Sequence, residues 1–277
     1  MSKRETDYSK DNKMVVSNNY VRAVHPDRMN VNAMKLFRLV VTQCRLKDKE
    51  FYEYEFKLTD LAEAFEIRSQ NLYRDVQEMC KNMVQMILYI GDGNPRHRWE
   101  YRPIFRTCYY EPKTGMITVQ ISDDMTELFL KLKKNFTQVP IAAVLTMRSK
   151  YAIRLFEVMC EKMKDCYPYA NNSTEITLTL EEIRRATGTE KKKTYDRISN
   201  LKDKVLMTAV RDIEENADLK IIVRDKKLGR KITGFNLEIW DRFGYEVVER
   251  CKRTGEPLPG RFTDQVRGQL SLFDMGL

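Results

Sequence analysis

Residues 56–84 read FKLTDLAEAFEIRSQNLYRDVQEMCKNMV, and residues 178–206 read LTLEEIRRATGTEKKKTYDRISNLKDKVL. Set side by side without a gap, at an offset of 122 positions, the two stretches agree where they are apolar. Phe56 meets Leu178, Leu58 meets Leu180, Leu61 meets Ile183 and Ala64 meets Ala186. Further on, Tyr73 meets Tyr195, Val76 meets Ile198, Met79 meets Leu201, Met83 meets Val205 and Val84 meets Leu206. The charged positions diverge. A shared core under a different surface is what two copies of one module produce; the alternative is chance agreement of two helical patterns. Upstream, at an offset of 116, Arg38-Leu39 meets Arg154-Leu155 and Cys44 meets Cys160.

The module is legible from its periods. In the first copy, helical spacing runs through Met34, Phe37, Leu39–Val41 and Cys44, and FYEYEFKL then alternates as a short strand ending at Leu58. Thr59 is placed to cap a short helix through Phe65, and Ser69 a longer one through about Met83. A hairpin is expected from Trp99–Tyr110 and Met116–Ile121 around the turn Glu111-Pro112-Lys113-Thr114-Gly115. The second copy predicts a helix over 149–164, a strand over 174–179, helices over 180–187 and 192–215, and strands near 219–225 and 231–239. Helix, strand, two helices and a two-stranded wing is the order of a winged helix. The fold class expected is therefore α+β, with two tandem winged-helix domains. Their spans are 14–135 and 136–245, between a flexible N-terminus (1–13) and a linker and tail (246–277).

Composition excludes much chemistry. The chain has 277 residues, of which 42% are hydrophobic and 32% charged, enough apolar material for real cores. No apolar run approaches the ~18 residues of a membrane span, and MSKRETDYSKDNK has no apolar stretch behind it, so neither membrane nor export is expected. Six cysteines (44, 80, 108, 160, 166 and 251) form no C-x-x-C pair, and His25 and His97 are the only histidines, which argues against a structural zinc site. The cysteines read as reduced thiols, in a cytoplasmic setting. There is no phosphate-binding P-loop, no H-E-x-x-H and no G-x-S-x-G. A nicking site built on a His-x-His metal centre cannot be assembled. No enzyme, metal or cofactor is expected.

The net charge of +9 is modest, so its distribution carries the argument. Nine Lys/Arg face three Asp/Glu between 184 and 211, a local +6, and the turn Arg224–Lys231 adds +4. On a regular helix Tyr195, Ile198, Leu201 and Val205 share one face. Lys193, Arg197, Asn200 and Lys204 share another, flanked by Lys192 and Thr194. A helix-turn-helix sets its second helix in the DNA major groove, where Arg suits guanine and Asn suits adenine. The wing cations Lys226, Lys227, Arg230 and Lys231 are placed for phosphates or a minor groove. The plainer alternative is a solvated face with a Lys-rich turn. In the first module the matching segment carries Arg68, Ser69, Gln70, Asn71 and Arg74, mildly basic because Asp75 and Glu78 dilute it. It is suited to weaker DNA reading or to a protein contact.

The stretch Leu145–Glu157, LTMRSKYAIRLFE, closely resembles the S-K-Y-x-x-R-L-Y-E segment of plasmid replication initiators of the Rep_3 (RepB/RepE-like) family. Phe136-Thr137-Gln138, the pattern Leu206…Ala209-Val210…Ile213-Glu214, Ala217-Asp218-Leu219 and Gly229-Arg230-Lys231 fit as well. Phe156 stands where the family often has Tyr. The resemblance implies two winged helices on directly repeated double-stranded origin DNA (iterons). It implies origin opening with host proteins, among them an initiator ATPase and the replicative helicase, and a homodimer through domain 1 that represses. By position it places Arg148, Ser149, Lys150 and Arg154 at the start of a helix where phosphate is held; the alternative is that Arg154 pairs structurally.

Lys252–Arg261 holds two Pro and two Gly and reads as a linker. Gln269-Leu270-Ser271-Leu272-Phe273 then looks like the pentapeptide by which bacterial proteins bind the sliding clamp, with Leu272 and Phe273 as apolar anchors. The alternative is a tail folded back on the domain. A transcriptional repressor of the same fold is the competing functional reading, and the tail discriminates, since a repressor has no evident need of it.

Overall fold

The computed structural model describes residues 3–5, 13–24, 30–45, 48–67, 70–91, 94–130, 132, 134–164 and 173–254. The first module opens with β1 (Lys3–Glu5), β2 (Lys13–Ser17), α1 (Asn18–Arg22) and α2 (Val31–Thr42). Then come β3 (Glu53–Lys57), α3 (Leu58–Ala64), α4 (Leu72–Val84), β4 (Ile87–Ile90), β5 (Glu100–Pro103), β6 (Phe105–Glu111) and β7 (Met116–Ile121). After α5 (Thr126–Phe129), β8 (Phe136–Pro140) and α6 (Ile141–Thr146), the second module runs through α7 (Lys150–Met163), β9 (Ser173–Thr179), α8 (Leu180–Thr187), α9 (Ile198–Leu201) and α10 (Met207–Asn216). It ends in β10 (Leu219–Leu228), β11 (Lys231–Asp241) and α11 (Arg242–Thr254).

The repeat seen in the sequence is a repeat of topology. In the first module β3 pairs antiparallel with β7, and β7 with β6. In the second, β9 pairs with β11, and β11 with β10. Phe56 lies opposite Ile117, as its sequence counterpart Leu178 lies opposite Phe235. All four are fully buried. Local chemistry sets the helix ends. The Asn30 side chain accepts from Ala33 N–H at 2.7 Å to start α2. Thr179 and Glu182 form a reciprocal capping box at α8, which stops at Gly188 in the left-handed conformation (φ 64°).

Several expectations change. Thr59 does not cap α3, which begins two residues earlier than such a cap implies, at Leu58 after Lys57; its hydroxyl donates to Asp60 instead. The helix expected from Ser69 starts at Leu72, and Arg68 and Ser69 lie outside the described residues. The segment around Glu100–Pro103 pairs with β4 as a separate ribbon, and only β6 and β7 form the expected hairpin. The chain switches partners at Ile104, which is fully buried. Residues 3–5, inside the N-terminus expected to be flexible, pair in parallel with β3. Past 245, α11 continues to Thr254 because Val247, Val248 and Cys251 give it a buried face. The pentapeptide 269–273 lies outside the described residues.

The two modules share a core. α7 packs on α8 and α10 of its own module, on β8 ahead of it, and on α1 of the first module. At their junction Arg38 of α2 and Arg154 of α7, equivalent in the repeat, both pair with Glu157. The Arg38 and Glu157 side chains are 0% exposed and meet at 2.8 Å. Arg154 also donates to the carbonyls of Val21, Ala23 and Ala186. Tyr20 packs in the same cluster, and burial raises its hydroxyl above the ordinary tyrosine value.

Candidate nucleic-acid interface

The second module presents its basic segments on its surface, though not as one continuous helix. Lys193–Tyr195 is a 3₁₀ turn, and Arg197 is extended (φ −73°, ψ 116°) ahead of α9. Lys202–Leu206 is then a single π turn leading into α10. A face computed at 100° per residue therefore does not hold across 193–204. Lys193, Thr194, Arg197 and Lys204 are exposed, while Lys192 and Asn200 are half-buried. Asn200 closes the turn by donating to the Thr194 carbonyl at 2.9 Å. Arg184 reaches from α8 to the Tyr195 carbonyl at 3.3 Å, fixing the two helices of the motif against each other.

The wing is longer than expected, because β10 and β11 continue pairing to Leu228 and Lys231. Its tip turns at Gly229, whose φ of 60° favours glycine. Lys226, Lys227, Arg230 and Lys231 are exposed along it. Among the described residues, none of Lys193, Arg197, Lys204, Lys226, Lys227, Arg230 and Lys231 stands in an ion pair. Closer to the sheet Gly234 is required, since a Cβ there would overlap the Leu178 carbonyl oxygen.

At the start of α7, where phosphate is expected, the structure gives several of the groups protein partners. The Asp212 carboxylate already receives the backbone N–H groups of Arg148 (2.9 Å) and Ser149 (2.6 Å). The Ser149 hydroxyl caps the helix by accepting from Tyr151 N–H. Arg154 is buried among the carbonyls and the carboxylate named above, so no phosphate reaches it. Lys150 lies over the Tyr151 ring. Of these four residues Arg148 is the exposed one, 3.8 Å from Glu66 of the first module, and Lys150 is half-buried.

In the first module Gln70, Asn71 and Arg74 are exposed beside Tyr73, whose ring is 5.8 Å from that of Tyr110. The hairpin there is a tight turn at Glu111–Gly115, without the long basic extension of the second copy. The two copies thus offer unequal surfaces. Among the described residues no group of three or more potential metal ligands occurs, and no helix is long and apolar enough to cross a membrane.

Two winged helices in tandem, with a basic second recognition segment and wing, define the class: a tandem winged-helix protein. Residues 13–160 match the family described as "Initiator Replication protein, WH1", and residues 179–239 match "Initiator Rep protein, WH2". The chain belongs to this family of replication initiator proteins. The solved structure of the Pi initiator protein in complex with iteron DNA is similar over 83% of this chain and 98% of that one, with a TM-score of 0.64 and 18% identity. This is a likeness of fold. Domains 2 and 3 of RctB align over 76% of this chain and 82% of theirs, at 11% identity and a TM-score of 0.43.

Proposed function

We propose that this protein initiates plasmid replication by binding directly repeated origin sequences as double-stranded DNA. The observation that carries the reading is the set of exposed cations Lys193, Arg197, Lys204, Lys226, Lys227, Arg230 and Lys231 on the recognition segment and wing of the second module, which stand in no ion pair among the described residues. Arg197, with Lys192, Lys193, Thr194, Asn200 and Lys204, enters the major groove. Lys226, Lys227, Arg230 and Lys231 follow the phosphates, and Arg148 adds one contact at the seam. Gln70, Asn71 and Arg74 of the first module, with Arg68 and Ser69, make a weaker second contact or serve a homodimer. Binding of several copies strains the adjacent duplex, and the protein acts by binding rather than cutting, in the cytoplasm. Gln269–Phe273 recruits the host sliding clamp, and other surfaces meet the host initiator ATPase and helicase.

Two experiments test this. Titration of a duplex carrying the direct repeats of its own origin, against a scrambled duplex, should show preference for the repeats. Affinity should also fall steeply with salt, because each neutralised phosphate releases counterions. A flat salt response overturns the DNA reading. For the tail, the double variant Leu272→Ala, Phe273→Ala should lose clamp in a pull-down; equal capture overturns the clamp reading.

A further inference from the structure

We propose that Lys202 and Asp225 are a positioning pair that locks the wing to the recognition segment and thereby sets sequence discrimination. Neither is among the residues proposed to touch DNA, and the inference rests on the repeat-binding reading above. Lys202 is the first residue of the π turn. Its ammonium donates to the Asp225 carboxylate at 2.7 Å, with the two side chains 32% and 26% exposed. The same ammonium lies 5.7 Å from the centre of the Phe235 ring. Phe235 is the direct strand partner of Asp225 and is fully buried. The contact therefore grips the wing at its root, over the core.

Immediately beyond Asp225 the pairing slips between Lys226 and Lys227. A bulge of this kind bends and twists a hairpin, so small changes at the root swing the tip. Asp225 is also the lone acid within Arg224–Lys231. On charge alone it opposes DNA binding, and its place in a basic wing is otherwise unexplained. The π turn supplies the other half: a hydrogen-bonded span one residue longer than that of an α-helix falls at the position from which Lys202 reaches the wing. Recognition segment and wing then reach the duplex in one fixed mutual geometry, and a sequence that fits only one of them gains less.

The experiment is a paired titration of the full chain on repeat and scrambled duplexes, with Asp225→Asn, Lys202→Met, Lys202→Arg and the exchange Lys202→Asp/Asp225→Lys. Asp225→Asn should bind scrambled DNA more tightly yet lose about fivefold in the ratio of repeat to scrambled affinity, the scale of one partly exposed ion pair. Lys202→Met should lower the same ratio, while Lys202→Arg and the exchange should restore most of it. A uniform gain on both duplexes with Asp225→Asn, ratio unchanged, overturns the proposal and leaves Asp225 as a plain repulsive charge. A ratio lowered by the singles but not regained by the exchange also overturns it. If the parent chain itself fails to prefer the repeats, it is the repeat-binding reading that falls.

Discussion

Replacing Glu157 by Gln tests the joint between the modules. The carboxylate receives Arg38 at 2.8 Å and Arg154 from the other side, with both arginines almost wholly enclosed. Gln keeps the shape but removes the one negative charge, leaving two guanidinium groups buried together. Removing one partner of a buried ion pair costs about 3–5 kcal/mol, a large share of the roughly 5–15 kcal/mol that holds a folded domain. At about 2–4 °C per kcal/mol for a chain of this size, the midpoint should fall by about 6–20 °C. Thermal and urea unfolding followed by circular dichroism measure this directly. A loss below about 1 kcal/mol, at unchanged denaturant slope, would refute the claim that the charge is dry and essential. Arg154→Ala supplies the control on function. It should destabilise similarly, yet below its melting point the salt slope of DNA binding should match the parent. A slope reduced by about one would return Arg154 to the phosphate contacts.

Other outcomes follow from the same structure. Arg197→Ala should weaken repeat binding by about 1–3 kcal/mol and relax base preference, measured by competition with single-base variants; equal loss on random DNA would make it a phosphate contact. Gly234→Ala should destabilise the second sheet by about 1–3 kcal/mol, because the new methyl meets the Leu178 backbone; an unchanged melting midpoint would contradict that packing. At Glu182 burial acts upward, but Lys162 at 2.6 Å and the Thr179 N–H at 2.7 Å outweigh it and hold the carboxyl below its usual range. Its stabilising part is complete above the unfolded value near 4.3 and disappears as pH falls through the lower folded value. Glu182→Gln should therefore flatten stability against pH below about 4.3, and a parent-like acid limb would exclude the effect.

The module order was legible because apolar spacing reports which face a helix or strand buries, and that spacing survives while surface residues drift. Phe56 and Leu178 announce equivalent strands for this reason. Breaks in backbone geometry were not legible. Lys193–Leu206 contains no Gly or Pro, so nothing in its composition marks the extended Arg197 or the π turn. The partners at the start of α7 are illegible for a different reason. Arg154 and Glu157 stand three apart and look like an ordinary surface pair, and only the fold brings Arg38 from 119 residues away to bury them. Asp212, 63 positions from Ser149, fills the helix end in the same long-range manner. A signal for the wing lock was available in one place: a single aspartate in an otherwise basic turn.

The Arg38–Glu157–Arg154 cluster means that the duplicated units are no longer separable parts. Each copy contributes the arginine at the equivalent position of one helix, α2 or α7, but there is one carboxylate for both. A fragment ending before α7 would strand Arg38 without its counter-ion, and a fragment starting at α7 would leave Arg154 facing missing carbonyls. The protein should therefore melt in a single transition, with the halves of the duplication behaving as one inheritance that cannot be divided.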